Sequence, residues 1–290
     1  MTQDPSIRLA ISSMGTALGP EVMARVSACF APEHSRLAVG VSPTVEDASY
    51  GPHPRHGLDL YCPPPAASPA PVLLWVHGGG FVRGEKRSPD HPFNAHVGRW
   101  AARCGLVGAV MNYRLLPEAA WPSGGEDVGM AVDWLRRHVA AYGGDASRIV
   151  VVGTSAGSVH IATYLKLRPD ASREIAGAVL LSGLYGTTPP EGADSRYFGS
   201  ESGEATATCD AVAASAVPLL VASAEFDPPR FQTETLSLLQ RCLAVRGALP
   251  RAHFASGHNH YSMAQHLGTA DTRLTDEILA FIADCAPVGA

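Results

Sequence analysis

Apolar residues in this chain fall into short continuous runs separated by longer amphipathic stretches, a pattern that predicts strands joined by helices. Pro71-Val72-Leu73-Leu74-Trp75-Val76 is an uninterrupted apolar run, as expected for a strand buried on both faces of a parallel sheet. Similar runs predict strands at 105–114, 148–153, 176–182 and 217–222, and an alternating segment covers 251–255. Helices are expected around 93–104, then at 128–142, 159–167, 233–245 and 271–285. In the second of these Val128, Val132, Leu135 and Val139 share a face. Residues 50–61 suggest a hairpin with Leu58 and Leu60 on one side of its second strand, and the prolines of 63–71 form a rigid surface linker. Strands alternating with helices imply right-handed βαβ units on a mostly parallel sheet, a doubly wound α/β architecture with helices on both faces. No internal repeat is visible.

Residues 1–45 are the least readable. Residues 20–30 fit an amphipathic helix with Val22, Val26, Cys29 and Phe30 on one face. A packing helix and part of a lid over a site both satisfy that pattern. The expected organisation is a helical segment over 1–45 and an α/β domain over 46–290, which holds all the motifs described below.

Composition narrows the class. The 290 residues are 46% hydrophobic and 17% charged, which suits one large α/β domain or two small ones. No run of about 18 apolar residues predicts a transmembrane helix, and the first residues lack the basic and apolar regions of a signal peptide. Six cysteines lie scattered without a C-x-x-C pair, which fits reduced thiols in a cytoplasmic protein rather than disulfides or zinc. A net charge of −5 without a Lys/Arg cluster argues against nucleic acid, and no G-x-G-x-x-G or P-loop lysine accompanies the Gly-rich turns. Neither a metal nor a cofactor is expected, the expected partner is a small molecule rather than a membrane, and a homodimer is left open.

The chemistry concentrates in three places. Arg148–Val152 is a β-branched run that stops at Gly153, turns at Ser155 and restarts as a helix after Gly157. So tight a strand-turn-helix strains the central residue and needs bare neighbours, and it lifts the Ser155 hydroxyl to a helix N-terminus that favours negative charge. Gly78-Gly79-Gly80 follows the buried strand ending at Val76, where bare backbone would offer N–H groups to a ligand, so a side chain at Gly80 is expected to cost turnover. Then Asp227 comes directly after a strand, and Gly257-His258-Asn259-His260-Tyr261 lies just before a helix. The order Ser, acid, His belongs to hydrolases built on doubly wound sheets. Glu126 and Asp127 are expected to serve structure at a helix start.

His77-Gly78-Gly79-Gly80-Phe81, Asn112-Tyr113-Arg114-Leu115-Leu116-Pro117-Glu118, Gly143-Gly144-Asp145 and Gly153-Thr154-Ser155-Ala156-Gly157 together resemble the serine esterases of the α/β-hydrolase fold. The branches most similar are the hormone-sensitive-lipase-like carboxylesterases and the kynurenine-formamidase-like esterases, and the resemblance runs from about residue 48 to the C-terminus. It implies that Ser155 attacks an acyl carbonyl, His260 is the general base and Asp227 orients it. It further implies an oxyanion hole from the N–H groups of Gly79, Gly80 and Ala156, with His77 bracing the glycine loop. Two features depart from the family: the glycine pair at 124–125 near a helix start, and a short polar connection at 186–216 where a larger cap is common. A small cap favours short or aromatic esters. The implied activity is that of a carboxylesterase, with an arylformamidase using the same three residues as the alternative and a non-catalytic receptor as a remoter one.

Four histidines crowd the end of the chain. The pattern places His253 in a strand and His266 inside a helix, leaving His258 and His260 in the loop that returns to Ser155. Gly257 is expected to leave His258 mobile, and Asn259-His260-Tyr261-Ser262 resembles the family's base motif, which favours His260.

Overall fold

A computed structural model describes residues 3–199 and 203–289. The termini of both expected regions (1–2 and 290) and residues 200–202 of the polar connection lie outside the described residues. Two helices come first, α1 (Pro5–Met14) and α2 (Pro20–Ala38), then the hairpin β1 (Val45–Ser49) and β2 (Gly57–Tyr61). They are followed by β3 (Ala70–Val76), α3 (Ala95–Arg103), β4 (Val107–Met111), α4 (Ser123–His138), β5 (Gly144–Thr154), α5 (Ala156–Leu167) and β6 (Gly177–Leu181). Short helices α6 (Ala193–Phe198) and α7 (Cys209–Ala214) occupy the connection to β7 (Leu219–Phe226). The chain continues through α8 (Pro229–Arg246), β8 (Arg251–Asn259), α9 (Ser262–Gln265) and α10 (Arg273–Asp284).

One eight-stranded sheet has the order β1-β2-β4-β3-β5-β6-β7-β8. β2 is antiparallel to β1 and β4, and every pairing from β4 to β8 is parallel. Continuous apolar strands make sense in that setting, because both faces are covered. One face packs α4, α5, α7 and α8 against residues such as Val151 and Leu180, and the other packs α3 and α10 against Val150, Val152 and Leu181. Burying each such side chain contributes about 1.5–3 kcal/mol before chain entropy is subtracted. β3 and β5 are neighbours with Val76 opposite Gly153, so their C-terminal ends open side by side. That pairing brings the glycine loop next to Ser155.

Several boundaries move from their expected places. α4 starts at Ser123 instead of near Val128, so Gly124, Gly125, Glu126 and Asp127 lie inside its first turns. A Cβ on Gly124 would stand 2.0 Å from His160 Nδ1 and one on Gly125 2.6 Å from Thr163 Cγ2. The glycine pair is therefore the surface by which α4 approaches α5. α8 likewise starts early, at Pro229, where a fixed φ and a missing N–H suit the first helical position. β5 begins at Gly144, ahead of its β-branched core, and a single 3₁₀ turn (Val139–Tyr142) ends the helix before it.

Alanine in a helix is ordinarily better than glycine by up to about 1 kcal/mol. At Gly124 the methyl meets a ring that is fully buried and wedged between Tyr113 and Phe81, so it cannot withdraw. Overpacking of that kind costs roughly 1–3 kcal/mol. Gly124→Ala is therefore expected to lower the urea midpoint, and an unchanged or raised midpoint would show that the helices separate freely.

Candidate active site

Ser155 is the residue between β5 and α5, with φ 53° and ψ −120°, a region that a residue with a side chain rarely occupies. Its N–H donates to Leu181 O (2.9 Å). The Ser158 hydroxyl bonds Gly153 O (2.7 Å) and accepts from Leu181 N (3.0 Å), tying the turn to β6. A Cβ on Gly157 would lie 2.0 Å from Val76 O, so only glycine lets α5 start this close to β3.

His260, in the turn after β8, places Nε2 3.0 Å from Ser155 Oγ and Nδ1 2.9 Å from Asp227 Oδ1. Asp227 is fully buried just beyond β7, and its Oδ2 accepts from Ser182 Oγ (2.6 Å), Ala224 N (2.8 Å) and Ser223 Oγ (3.0 Å). Burial pushes its carboxyl up. The hydrogen bond and charge of His260, the Ser182 hydroxyl and the Ala224 N–H outweigh this, so it lies below the ordinary carboxylate value. A carboxylate can only accept, so His260 Nδ1 carries the proton towards Asp227 and leaves Nε2 bare to face the hydroxyl. An array of this kind can withdraw a proton from a serine and return it to a leaving group.

The glycine loop lies beside it. His77 is fully buried, stacks on Tyr113 at 4.3 Å, and donates from Nδ1 to Gly78 O (2.7 Å), while Tyr113 OH donates to His77 O (2.9 Å). Gly79 has φ +139°, and a Cβ there would meet Arg83 O at 1.9 Å. Gly80 has φ +59°, yet nothing lies within 4 Å of a Cβ there. The steric requirement is thus greatest at Gly79, while Gly80 is constrained by its positive φ alone. Gly79, Gly80, Ser155, Ala156 and His260 all line one cleft of about 820 Å³.

That cleft is walled by Phe81, Val159, Leu184, Phe231 and Tyr261, and by Leu18, Met23 and Ser27 from the N-terminal helices. Over the connection expected to be a small cap, Tyr197 of α6 stacks on Phe81 (4.2 Å, 4°), and its hydroxyl accepts from Gly124 N (3.1 Å). Buried Glu234 accepts from Tyr185 N and Thr188 N (each 2.7 Å), Arg230 bonds Asp194 (2.5 Å), and Arg246 donates to Ala213 O (2.8 Å), so both ends of this segment are fixed to α8. Asp127 accepts from Arg114 N and Nε (each 2.8 Å) and pairs with His56 (3.1 Å), a structural position like the one expected.

Sequence reasoning placed His258 in a mobile loop. Instead it sits in β8, 1% exposed, hydrogen-bonded to Asp271 and Ser262, and it does not approach Ser155. Ser182, Ser223, Tyr197 and Glu234 were missed. Ser182 and Ser223 carried a signal, each a polar residue at the end of an apolar run.

The fold and this geometry define the class: by fold the protein is an α/β hydrolase with a serine, a histidine and an aspartate joined at the strand ends. A family model described as BD-FAE matches residues 58–180. Esterase LipI of Mycobacterium tuberculosis is 37% identical over 141 residues, 48% of this chain and 41% of that protein. The chain spans less than half the length of the curated relatives it matches. Among solved structures, a bacterial heroin esterase is 26% identical with a TM-score of 0.68, covering 97% of each chain. Esterase Est22 is 20% identical with a TM-score of 0.72 and 98% coverage of each. The particular relatives by sequence and by fold are thus esterases, the group the motifs resemble. Among the described residues no helix is long and apolar enough to cross a membrane.

Burial drives three histidines around this region well below the ordinary value of 6.5: His34 and His77 to about 4 and His160 to about 3. Below pH 6.5 the unfolded chain takes up protons that the folded chain refuses, so their stabilising contribution is complete above that pH. It falls as the pH drops towards the folded values, by roughly a kcal/mol per pH unit for each histidine. Urea midpoints should therefore decline steeply from pH 6.5 to 4.5, whereas a flat profile would mean that these rings titrate normally.

Proposed function

We propose that this protein is a serine carboxylesterase that hydrolyses short-chain or aromatic carboxylic esters through an acyl-enzyme. The observation that carries this reading is the chain Ser155 Oγ, His260, Asp227, with the hydroxyl open to the cleft beside the glycine loop. In this reading Ser155 attacks the acyl carbonyl while His260 takes its proton, and Asp227 holds the imidazolium that forms. The N–H groups of Gly79, Gly80 and Ala156 receive the oxyanion, a contribution worth on the order of 10²–10³ in rate for one donor. His260 then returns the proton to the leaving alcohol, and water repeats the sequence on the acyl-enzyme. The esterase relatives support the ester as substrate, and this chemistry calls for neither metal nor cofactor.

An apolar cleft with Phe81 and Phe231 beside the nucleophile supports small or aromatic groups. We also read α1 and α2 as a lid, supported by Leu18, Met23 and Ser27 in the cleft wall and by Gly19 N donating to Tyr261 OH (2.9 Å). Six free thiols support a cytoplasmic setting, and exposed Phe254 on the outer strand β8 supports a homodimer. The acidic net charge supports the absence of a nucleic-acid partner.

A fluorophosphonate probe is expected to label the protein once, and Ser155→Ala to abolish both labelling and hydrolysis. Full labelling of that variant would refute the nucleophile assignment. With p-nitrophenyl esters of increasing length, kcat/KM should peak at short acyl chains. A continued rise beyond about eight carbons would contradict the short-chain preference, since each methylene adds roughly 0.8 kcal/mol only where it is buried. Gly79→Ala should lower kcat on the order of 10²-fold by displacing the loop, and Gly80→Ala, which meets no neighbour but strains a positive φ, should lower it less. Equal effects would show that contact with Arg83 does not set the loop.

A further inference from the structure

We propose that Asp271, His258 and Ser262 form a clamp that positions His260, a role that rests on the serine-hydrolase reading above. The strand β8 ends at Asn259, between the two histidines, and each is held by a different carboxylate. His258 Nε2 lies 3.1 Å from Asp271 Oδ2 and His258 Nδ1 3.1 Å from Ser262 Oγ. A carboxylate accepts only, so the ring proton lies on Nε2. Burial holds His258 below its ordinary value, ahead of the opposing pull of Asp271, so Nδ1 is bare and accepts from the Ser262 hydroxyl.

Ser262 closes the turn that carries His260. Its Oγ accepts from Asn259 N (2.8 Å), and its own N–H donates to Asn259 Oδ1 (3.0 Å). His266 stacks on His258 at 3.8 Å and donates from Nδ1 to Ser262 O (2.7 Å). At the far end Arg273 fixes Asp271 through Nε (2.8 Å) and Nη2 (2.6 Å). A continuous set of hydrogen bonds thus runs from Arg273 to the backbone N–H immediately before His260.

The array has the same acid, imidazole and hydroxyl as Asp227, His260 and Ser155, but its serine is fully buried and none of its three members lines the cleft. It cannot meet a substrate. What it can do is fix the direction of the Asn259–Ser262 turn, and a base must stand within about 3 Å of the hydroxyl it deprotonates. A displacement of about 1 Å is enough to cost on the order of 10² in rate. These are positioning residues.

The test compares Ser262→Ala, His258→Leu, His258→Gln and His260→Ala on p-nitrophenyl acetate, with thermal unfolding of each. Ser262→Ala and His258→Leu are expected to lower kcat roughly 10- to 100-fold with KM within about twofold, and to slow fluorophosphonate labelling of Ser155 in parallel. His258→Gln, whose amide can donate to Asp271 and accept from Ser262, should recover most of kcat. If His258→Leu does not fold, Ser262→Ala decides, because it removes a single oxygen. Parental kcat in a folded Ser262→Ala beside an inactive His260→Ala overturns the clamp alone, as does a His258→Gln variant no better than His258→Leu. Parental kcat in His260→Ala overturns the base assignment and the clamp with it.

Discussion

The contact that the rest of the structure depends on is the approach of α5 to the end of β3, where Gly157 leaves no room for even a methyl group above Val76 O. Only at that separation can β5 pass into α5 through one residue, and only then does Ser155 adopt φ 53° and ψ −120°. Such a conformation costs of the order of 1–3 kcal/mol and persists because its surroundings over-determine it. Those surroundings are the Ser155 N–H on Leu181 O and the Ser158 hydroxyl on Gly153 and Leu181, both anchored on β6. The same pairing of β3 with β5 fixes where the glycine loop must begin, so the hydroxyl and the loop amides are placed by one set of backbone distances.

Loops, not the sheet, carry the remaining site residues, and buried carboxylates hold those loops. Asp227 gathers Ser182, Ser223, the Ala224 N–H and His260. Asp127 gathers both the backbone and side chain of Arg114 together with His56, and Glu234 gathers three backbone amides at the start of the cap. An isolated buried carboxylate would be strongly destabilising, but one with a complete set of donors links segments distant in sequence at little net cost. Each of these groups is therefore more informative about loop position than about stability. Removing one would free a loop while the sheet, held by apolar burial on both faces, remained.

Most of this architecture was legible because its strands are continuous apolar runs and its turns need residues with no side chain. Gly153-Thr154-Ser155-Ala156-Gly157 announces a backbone constraint, Asp227 follows a plain apolar run, and the choice of His260 rested on resemblance to the family's base motif. What could not be read are contacts set by packing. Gly124 and Gly125 looked like a disturbed helix start, and only the positions of His160 and Thr163 explain them. Mobility was inferred for His258 from the neighbouring Gly257, yet Asp271, thirteen residues later, immobilises it. Local sequence reports the freedom of a backbone, and it is silent about the partner that removes that freedom. Glu234 shows the same limit, being one more polar residue in a helix until the loop at 185–188 folds onto it.

The two N-terminal helices stand apart from this logic, and their physics supports the lid proposed for them. They bury Ile11, Met14, Val26 and Phe30 against Phe93, with Phe226 and Tyr261 packed at the edge, a far smaller apolar set than either face of the sheet supplies. Three of their polar ties to the body reach the residues that follow His260, namely Gly19 to Tyr261, Ser27 to Gln265, and His34 to Gln265 O, while Arg8 reaches Glu225 and Glu33 reaches Ala270 N. With about 1.5–3 kcal/mol from each buried large side chain, less ordering entropy, opening these helices costs much less than unfolding the sheet. Segments drawn from that low end of local stability are the ones able to admit a ligand without disturbing the core. On the reading proposed above, an N-terminal pair that walls the cleft and grips the residues following His260 would couple closure of the lid to the placement of the proposed base.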